Sequence, residues 1–544
     1  MSNDVAVRSA RSASDAGARG QAPTARVIAG TPVLVGVIVA VLAIGALGCT
    51  PDRDDAQPGG PADRELADAT DGSTVAPGPP PELTDAACPE PGTPAGPEDR
   101  ITCQVLVLPE DRAHPEDRQV ELPVLTFRPF EHVATSPEMA AAPVVHLHGG
   151  PGGGAVEQWA TWSTDADALG TEVVVYDQRG GGDAQPALEC PEQQQAVLDA
   201  LGDDGDPAEE QEMVADALER CHDRLRDDGV DLDRYDAASA VADLEDLRRA
   251  LGAERLRLVA SSYGTRLALE YAAAHPDRVA ALALDSIDPP GSGHPGSDAE
   301  QVEPAITRLL DACDADPACR AAHPDLRGSL DTALARADAA PMTIAVTDPT
   351  SGEPGRFVLT GDDLRAGLFA AMYDSELVPL LPLAIEAVAH GDDALLGSVG
   401  PRIAPALSGT ATGALMSAIC ADRTDEPPPW SEVDLPDGTS TVALTSGDPY
   451  CDRWPVERNA SAATDVAPTV PVLVVAGELD PITPAATSRR SAQRWGATYV
   501  EVPRGGHAPM LATPCTREVL RSFLADPALP VPACAANTVP TPFA

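Results

Sequence analysis

The chain has 544 residues, 43% of them hydrophobic, enough for one large globular body with an insertion and tails. Its formal net charge of −48 excludes nucleic acid as a partner, because a phosphate backbone needs a basic surface to displace its counterions. Acidity says little about a substrate; it mainly keeps a surface solvated.

Residues 1–26 are polar and carry Arg8, Arg11, Arg19 and Arg26 against two acids, Asp4 and Asp15. The run 27–48, VIAGTPVLVGVIVAVLAIGALG, is uncharged, long enough to span a bilayer as a helix, and ends at Cys49. A basic flank, an apolar run and small residues before a break are the marks of an export signal. The segment IGALGC resembles a bacterial lipobox, which implies cleavage before Cys49 and lipid on its sulfur, although Ala46 stands where Leu is usual. An uncleaved anchor with an ordinary Cys49, or a freely secreted product, are the alternatives; all three put the body outside the cytoplasm. Residues 50–87 are rich in Pro, Asp, Gly and Ala and read as a disordered tether.

Eleven cysteines suit an oxidising compartment, and none lies in a CxxC metal pattern. With Cys49 set aside, ten remain. Chain neighbours fall into local loops: Cys88–Cys103, Cys190–Cys221, Cys313–Cys319, Cys420–Cys451 and Cys515–Cys534.

The folded part begins near Cys88 or Ile101. Strands are predicted at 101–108 and at 119–127, the second interrupted by Pro123. The near-continuous apolar runs 143–150, 171–180, 255–264 and 278–286 suit parallel strands buried on both faces. Helical periodicity at 238–251 and 263–274 separates them, which indicates a doubly wound α/β sheet built from residues 88–290. Residues 291–415 carry helical patterns, such as 300–313 and 374–390, and little strand signal. Sheet signals return at 471–480 and 497–503, within a C-terminal part of the core spanning 416–544. An insertion between two portions of one sheet is the geometry of a helical cap over a site.

The chemistry starts at ASSYG, 260–264. A nucleophile elbow turns sharply from strand into helix, and the residues two before and two after its centre must be small. Centred on Ser262 these are Ala260 and Gly264; centred on Ser261 they would be Val259 and Tyr263, which crowd the turn. A serine needs a base, and the base an orienting acid. GELDPITP puts Asp480 at a strand end, and GGHAP puts His507 in the loop after the final strand; Asp285 and Asp288 are the rivals for the acid. The glycine-rich HLHGGPGGG, 146–154, brings backbone N–H groups near a developing oxyanion, with donors expected from Tyr263 and from Gly150 or Gly149. His146 and His148 have no clustered acid or Cys beside them, and no phosphate loop or dinucleotide fingerprint occurs, so neither metal nor cofactor is predicted.

With these residues assembled, the chain resembles the proline iminopeptidase and tripeptidyl aminopeptidase branch of the α/β-hydrolases. The motifs are HGGPG (148–152), YDQRGGG (176–182), DLEDLRRALG (243–252), SSYGTRLALEYAAAHPDRV (261–279), LDSIDP (284–289), GELDPITP (477–484) and GGHAP (505–509). Its form is similar to exported, disulfide-bearing members that include envelope lipoproteins. The resemblance implies an α/β-hydrolase fold with Ser262 as nucleophile, His507 as base and Asp480 as orienter, and a C-terminal unit over about 415–535 holding acid and base. It implies cleavage of peptides near a free N-terminus; the same machinery would serve an esterase or lipase on acyl esters, and a non-catalytic binding protein is the remote alternative. The inserted part diverges enough that no residue holding a substrate amine is assigned.

Overall fold

The computed structural model describes residues 41–44, 81–88, 100–202, 205, 207–290, 298–347, 354–392, 411–422, 441–444, 450–459, 467–537 and 539–544. Cys49, most of the apolar run 27–48 and most of the tether lie outside the described residues. Val41–Ile44 forms a short strand paired antiparallel with Thr441–Leu444. Among the described residues no helix is long and apolar enough to cross a membrane.

A nine-stranded sheet organises the chain. Its strands are β1 Leu83–Asp85, β2 Ile101–Pro109, β3 Gln119–Phe127, β4 Val144–Leu147, β5 Val173–Tyr176, β6 Leu256–Ser261, β7 Val279–Asp285, β8 Val472–Gly477 and β9 Thr498–Val502. The spatial order is β9-β8-β7-β6-β4-β5-β3-β2-β1, parallel from β9 to β5 and antiparallel through β3, β2 and β1. Both faces are covered. Val145, Leu147, Val174, Leu258, Leu282 and Val474 point to one, against helices α2 Pro191–Ala200, α3 Pro207–Asp227, α4 Ala237–Ala250 and α5 Tyr263–Ala274. Val144, Val173, Val175, Val259, Ala283 and Val475 point to the other, with Trp162 of helix α1 Trp159–Leu169 and Leu520 of the helix Pro514–Ala525. The period-two alternation between two apolar layers is why these strands read as unbroken apolar runs.

The inserted helices have a core of their own. Helix α6 Asp298–Ala315, α7 Pro317–Ala322, α8 Leu326–Ala339, α9 Gly361–Ala371 and α10 Leu381–His390 bury Leu309, Leu334, Phe369, Leu381 and Ile385 together.

The structure departs from the sequence reading in four places. Leu83–Asp85, assigned above to the tether, extends the sheet by pairing with β2. The insertion contains a hairpin, Met342–Thr347 with Pro354–Leu359. The helix predicted over 374–390 starts only at Leu381, after a 3₁₀ turn at Val378–Leu380. Pro382 has no N–H to give and sits in the first turn, where none is needed. Helix α11, Thr412–Asp422, crosses the predicted cap boundary at 415, and its Ala414, Met416, Ala418 and Cys420 pack in the sheet's core. Five disulfides join Cys88 to Cys103, Cys190 to Cys221, Cys313 to Cys319, Cys420 to Cys451 and Cys515 to Cys534.

Arg179, three residues past the end of β5, lies buried with its guanidinium paired to Asp243 of α4 at 2.6 and 2.7 Å. It also donates to the carbonyls of Glu110 and Arg234, so one cation ties three segments together. Removing one partner of such a pair strands the other charge in the interior. Asp243→Ala is therefore expected to lower unfolding free energy by about 3–5 kcal/mol, measured by urea denaturation against the wild type.

Candidate active site

β6 ends at Ser261 and α5 begins at Tyr263, leaving Ser262 alone to reverse the chain. Its backbone sits at φ 56° and ψ −129°, a conformation an L-residue holds only under constraint. Three contacts supply that constraint. The Ser262 N–H donates to the Asp285 carbonyl at 2.9 Å, and the Ser262 carbonyl accepts from the Thr265 N–H at 2.8 Å and from Thr265 Oγ1 at 2.6 Å. A Cβ on Gly264 would run into the carbonyl oxygen of Leu147, and Ala260 is wholly buried between β4 and β7. The small residues on either side of Ser262 are thus a packing requirement.

Asp480 follows β8 and His507 follows β9, adjacent parallel strands, so their loops meet. His507 Nδ1 lies 2.9 Å from Asp480 Oδ2 and 3.1 Å from Oδ1. Both side chains are buried. Asp480 also accepts the N–H of Ile482 at 3.1 Å, the N–H of Thr483 at 2.9 Å and the Thr483 hydroxyl at 2.8 Å. Burial opposes its charge, yet His507 beside it, with hydrogen bonds from Ser286 and Thr483, holds the carboxyl below the usual carboxylate range. On the far side of the ring, His507 Nε2 is buried with no hydrogen-bond partner among the described residues, Ser262 Oγ included.

The rival acids are engaged elsewhere. Asp288 makes a buried two-pronged pair with Arg266 of α5, at 3.0 and 3.1 Å. Asp285 accepts the Met510 N–H at 2.7 Å, and its other oxygen has no partner among the described residues.

The glycine loop 148–154 packs directly on the elbow: a Cβ on Gly149 would stand 2.7 Å from the Cβ of Ser262. Gly150 is next along the same loop, and Tyr263 heads α5 with its hydroxyl 3.4 Å from Asp422 Oδ2. His148 stays within its own neighbourhood, with Nδ1 on the Gly149 carbonyl at 3.0 Å and Nε2 2.7 Å from Gln158 Nε2. His146 is buried against Trp162, ring centroids 4.2 Å apart. The structure therefore brings Ser262, Tyr263, Gly149, Gly150, Asp480 and His507 to one end of the sheet, while His146 is buried in β4 and His148 is hydrogen-bonded within its own loop.

Several residues that brace this arrangement carry no assigned role in the sequence reading. Asp177 accepts the N–H groups of Ala155, Val156 and Asp183 at 2.6, 2.9 and 2.8 Å, fixing the far end of the glycine loop. Burial pushes its carboxyl up to about 6 despite those donors. Gln178 Nε2 donates to the His148 carbonyl at 2.9 Å. Ser286, at φ 58°, accepts the Ala508 N–H at 2.9 Å, one residue past His507. The available signal was position: Asp177 and Gln178 follow an apolar run as polar residues at a strand's carboxyl end, and Thr483 lies three residues beyond Asp480.

Comparison with known proteins agrees with this architecture. The family model described as alpha/beta hydrolase fold matches residues 142–306, and that described as TAP-like protein matches residues 439–536. A tripeptidyl aminopeptidase of Streptomyces lividans is 24% identical over 458 residues, covering 78% of this chain and 81% of the relative. A proline iminopeptidase of Xylella fastidiosa is 32% identical over 145 residues, covering 27% of this chain and 32% of the relative. Among solved structures, the proline iminopeptidase of Mycobacterium smegmatis is similar at 19% identity and a TM-score of 0.36, covering 77% of this chain and 97% of that one. The chain has the α/β-hydrolase fold and is similar to tripeptidyl aminopeptidases and proline iminopeptidases.

Proposed function

We propose that this hydrolase cleaves peptides near a free N-terminus through an acyl-enzyme on Ser262, with His507 as base and Asp480 as its orienting acid. The observation that carries the reading is the strained Ser262 turn, packed against Gly149, at the sheet end where His507 and Asp480 are hydrogen-bonded. Ser262 Oγ attacks the scissile carbonyl carbon and its proton passes to His507 Nε2. Asp480 holds the ring with Nδ1 protonated and Nε2 basic, and stabilises the imidazolium. The oxyanion takes N–H groups of Tyr263 and of Gly150 or Gly149. The C–N bond then breaks, the leaving amine takes the proton from His507, and a water molecule repeats the sequence to release the acid and restore Ser262. None of these steps requires a cofactor.

The unpaired His507 Nε2 fits this role. A buried acceptor without a partner costs free energy, and bonds of this kind tighten when substrate fills the site. Preference for peptides rests on the relatives named tripeptidyl aminopeptidase and proline iminopeptidase. The reading includes export, with Cys49 as the lipid-bearing residue that tethers the body to a membrane. Its supports are the basic and apolar N-terminus and the five disulfides, which persist in oxidising compartments.

Three measurements test the proposal. Ser262→Ala is expected to lower turnover by at least about 10³-fold, with the wild-type thermal transition retained. Tripeptidyl anilides with a free amine should turn over faster than the same anilides carrying an N-acetyl block; turnover of acyl esters with no peptide cleavage would instead establish an esterase.

The third concerns the rival acid. Burial, with Asp480 close by, pushes Asp285 well above the usual carboxylate range. A carboxyl raised in the folded state is unperturbed at low pH, where both states are protonated. It destabilises the fold increasingly as pH rises past its unfolded value of about 3.9, by about 1.4 kcal/mol for each unit until the folded group ionises. Asp285→Asn removes that ionisation and keeps an acceptor for Met510. Its stability relative to wild type should therefore rise between pH 4 and pH 7, read by urea denaturation at both, and its turnover should persist. Turnover lost in Asp285→Asn and kept in Asp480→Asn would exchange the roles of the two acids.

A further inference from the structure

The loops that carry Asp480 and His507 belong to the sheet by sequence, yet much of what holds them comes from the inserted helices. Leu479 and Ile482, on either side of Asp480, are buried in the insertion's own core together with Leu309, Phe369 and Leu377. Arg308 of α6 reaches down and donates Nη2 to the Asp480 carbonyl at 2.9 Å. The His507 N–H donates to the Tyr373 carbonyl at 3.0 Å, just after α9, and the Tyr373 and His507 rings lie 5.0 Å apart. One residue earlier, the Gly506 N–H donates to Ser375 Oγ at 2.9 Å. Ser262, by contrast, is fixed within the sheet, by β4, β7 and α5.

We infer that the insertion is the seat of the acid–base pair, with Ser375 and Arg308 as positioning residues that set His507 and Asp480 against Ser262. This rests on the serine-hydrolase reading above. Neither residue touches substrate in this role: Ser375 acts through the backbone of the His507 loop, and Arg308 through the backbone of Asp480. The insertion's apolar core, Arg308, Tyr373 and Ser375 all hold the two loops, while the ring's Nε2 makes no hydrogen bond among the described residues. Register between base and nucleophile is then a register between insertion and sheet.

The experiment is Ser375→Ala, with Ser375→Thr restoring the hydroxyl, and Arg308→Met as a second route to the same pair. Each is assayed on 4-nitrophenyl acetate, whose acyl group is too small to need a binding cleft, and on a tripeptidyl anilide. Labelling of Ser262 by a fluorophosphonate is followed in parallel. Loss of one hydrogen bond that positions the base is expected to lower kcat about tenfold, with KM moving less than about twofold. The loss should be equal on both substrates, matched by slower labelling, and largely recovered in Ser375→Thr, with the thermal transition unchanged. The inference is overturned by kcat within about twofold of wild type in both Ser375→Ala and Arg308→Met. It is equally overturned by a loss confined to the peptide substrate or to KM, which would make these residues part of a substrate cleft. Wild-type protein that is not labelled at Ser262 marks failure of the serine-hydrolase reading itself, whereas labelled wild type with unaffected variants overturns only the coupling.

Discussion

A residue with φ near 56° persists in a protein only where the surroundings leave it nowhere to relax, and at Ser262 every exit is closed. Its N–H is held by β7, its carbonyl by the first turn of α5, and the chain on both sides by contacts that exclude any larger residue. The strain amounts to about 1–3 kcal/mol and is offset by the two-faced burial of the sheet. The order β8-β7-β6-β4-β5 then does the rest. Parallel strands deliver their following loops to one edge, so the elbow, the glycine loop and the acid's loop converge there without any sequence neighbourhood.

Buried charge around that edge follows one logic. Arg179 with Asp243 and Arg266 with Asp288 are pairs whose partners lie on different elements, each satisfied by two parallel N–H···O bonds. Such pairs add little net stability, because desolvation consumes most of the Coulomb attraction, but they penalise any shift that separates the partners. Asp177 works through neutral donors instead, gathering three backbone N–H groups so that the glycine loop cannot move away from Gly149 and Ser262. Glycines give that loop its close approach and a carboxylate takes away the freedom they bring.

The sheet core was legible because its physics is local. Two-sided burial produces apolar runs, and helix periodicity over 238–251 and 263–274 matches α4 and α5 to within a residue. The elbow was legible because steric exclusion writes itself as small residues at fixed spacing, Ala260 and Gly264. What escaped depends on partners distant in sequence. Leu83–Asp85 is a strand only because β2 offers it an edge, and nothing in a Pro- and Asp-rich stretch announces that. The strand pair Met342–Thr347 and Pro354–Leu359 lies among helices that drew the reading away from it. Helix α11 is buried on all sides, so its sequence could not say whether it joins the insertion or the sheet; Ala414, Met416, Ala418 and Cys420 lie in the apolar cluster on one face of the sheet, which decides for the sheet. The partners of the three carboxylates, His507 for Asp480, Met510 for Asp285 and Arg266 for Asp288, needed the fold to be seen.

The insertion is the least legible part, and the way it meets the two loops explains why. Tyr373 offers His507 a backbone carbonyl, which any residue at that position carries, and Gly506 contributes a backbone N–H in return to Ser375. Leu479 and Ile482 ask the inserted helices only for apolar surface. Apart from the Ser375 hydroxyl and the Arg308 guanidinium, contacts of these kinds fix geometry while placing few demands on side-chain identity, so the rest of the inserted sequence can change widely as long as a carbonyl and an oily cleft remain in place. The loops have no such latitude: the turn after β8 must present a carboxylate beside three donors, and the turn after β9 must hold a ring at hydrogen-bonding distance from it. GELDPITP and GGHAP therefore stand out in the sequence, while the structure that seats them does not.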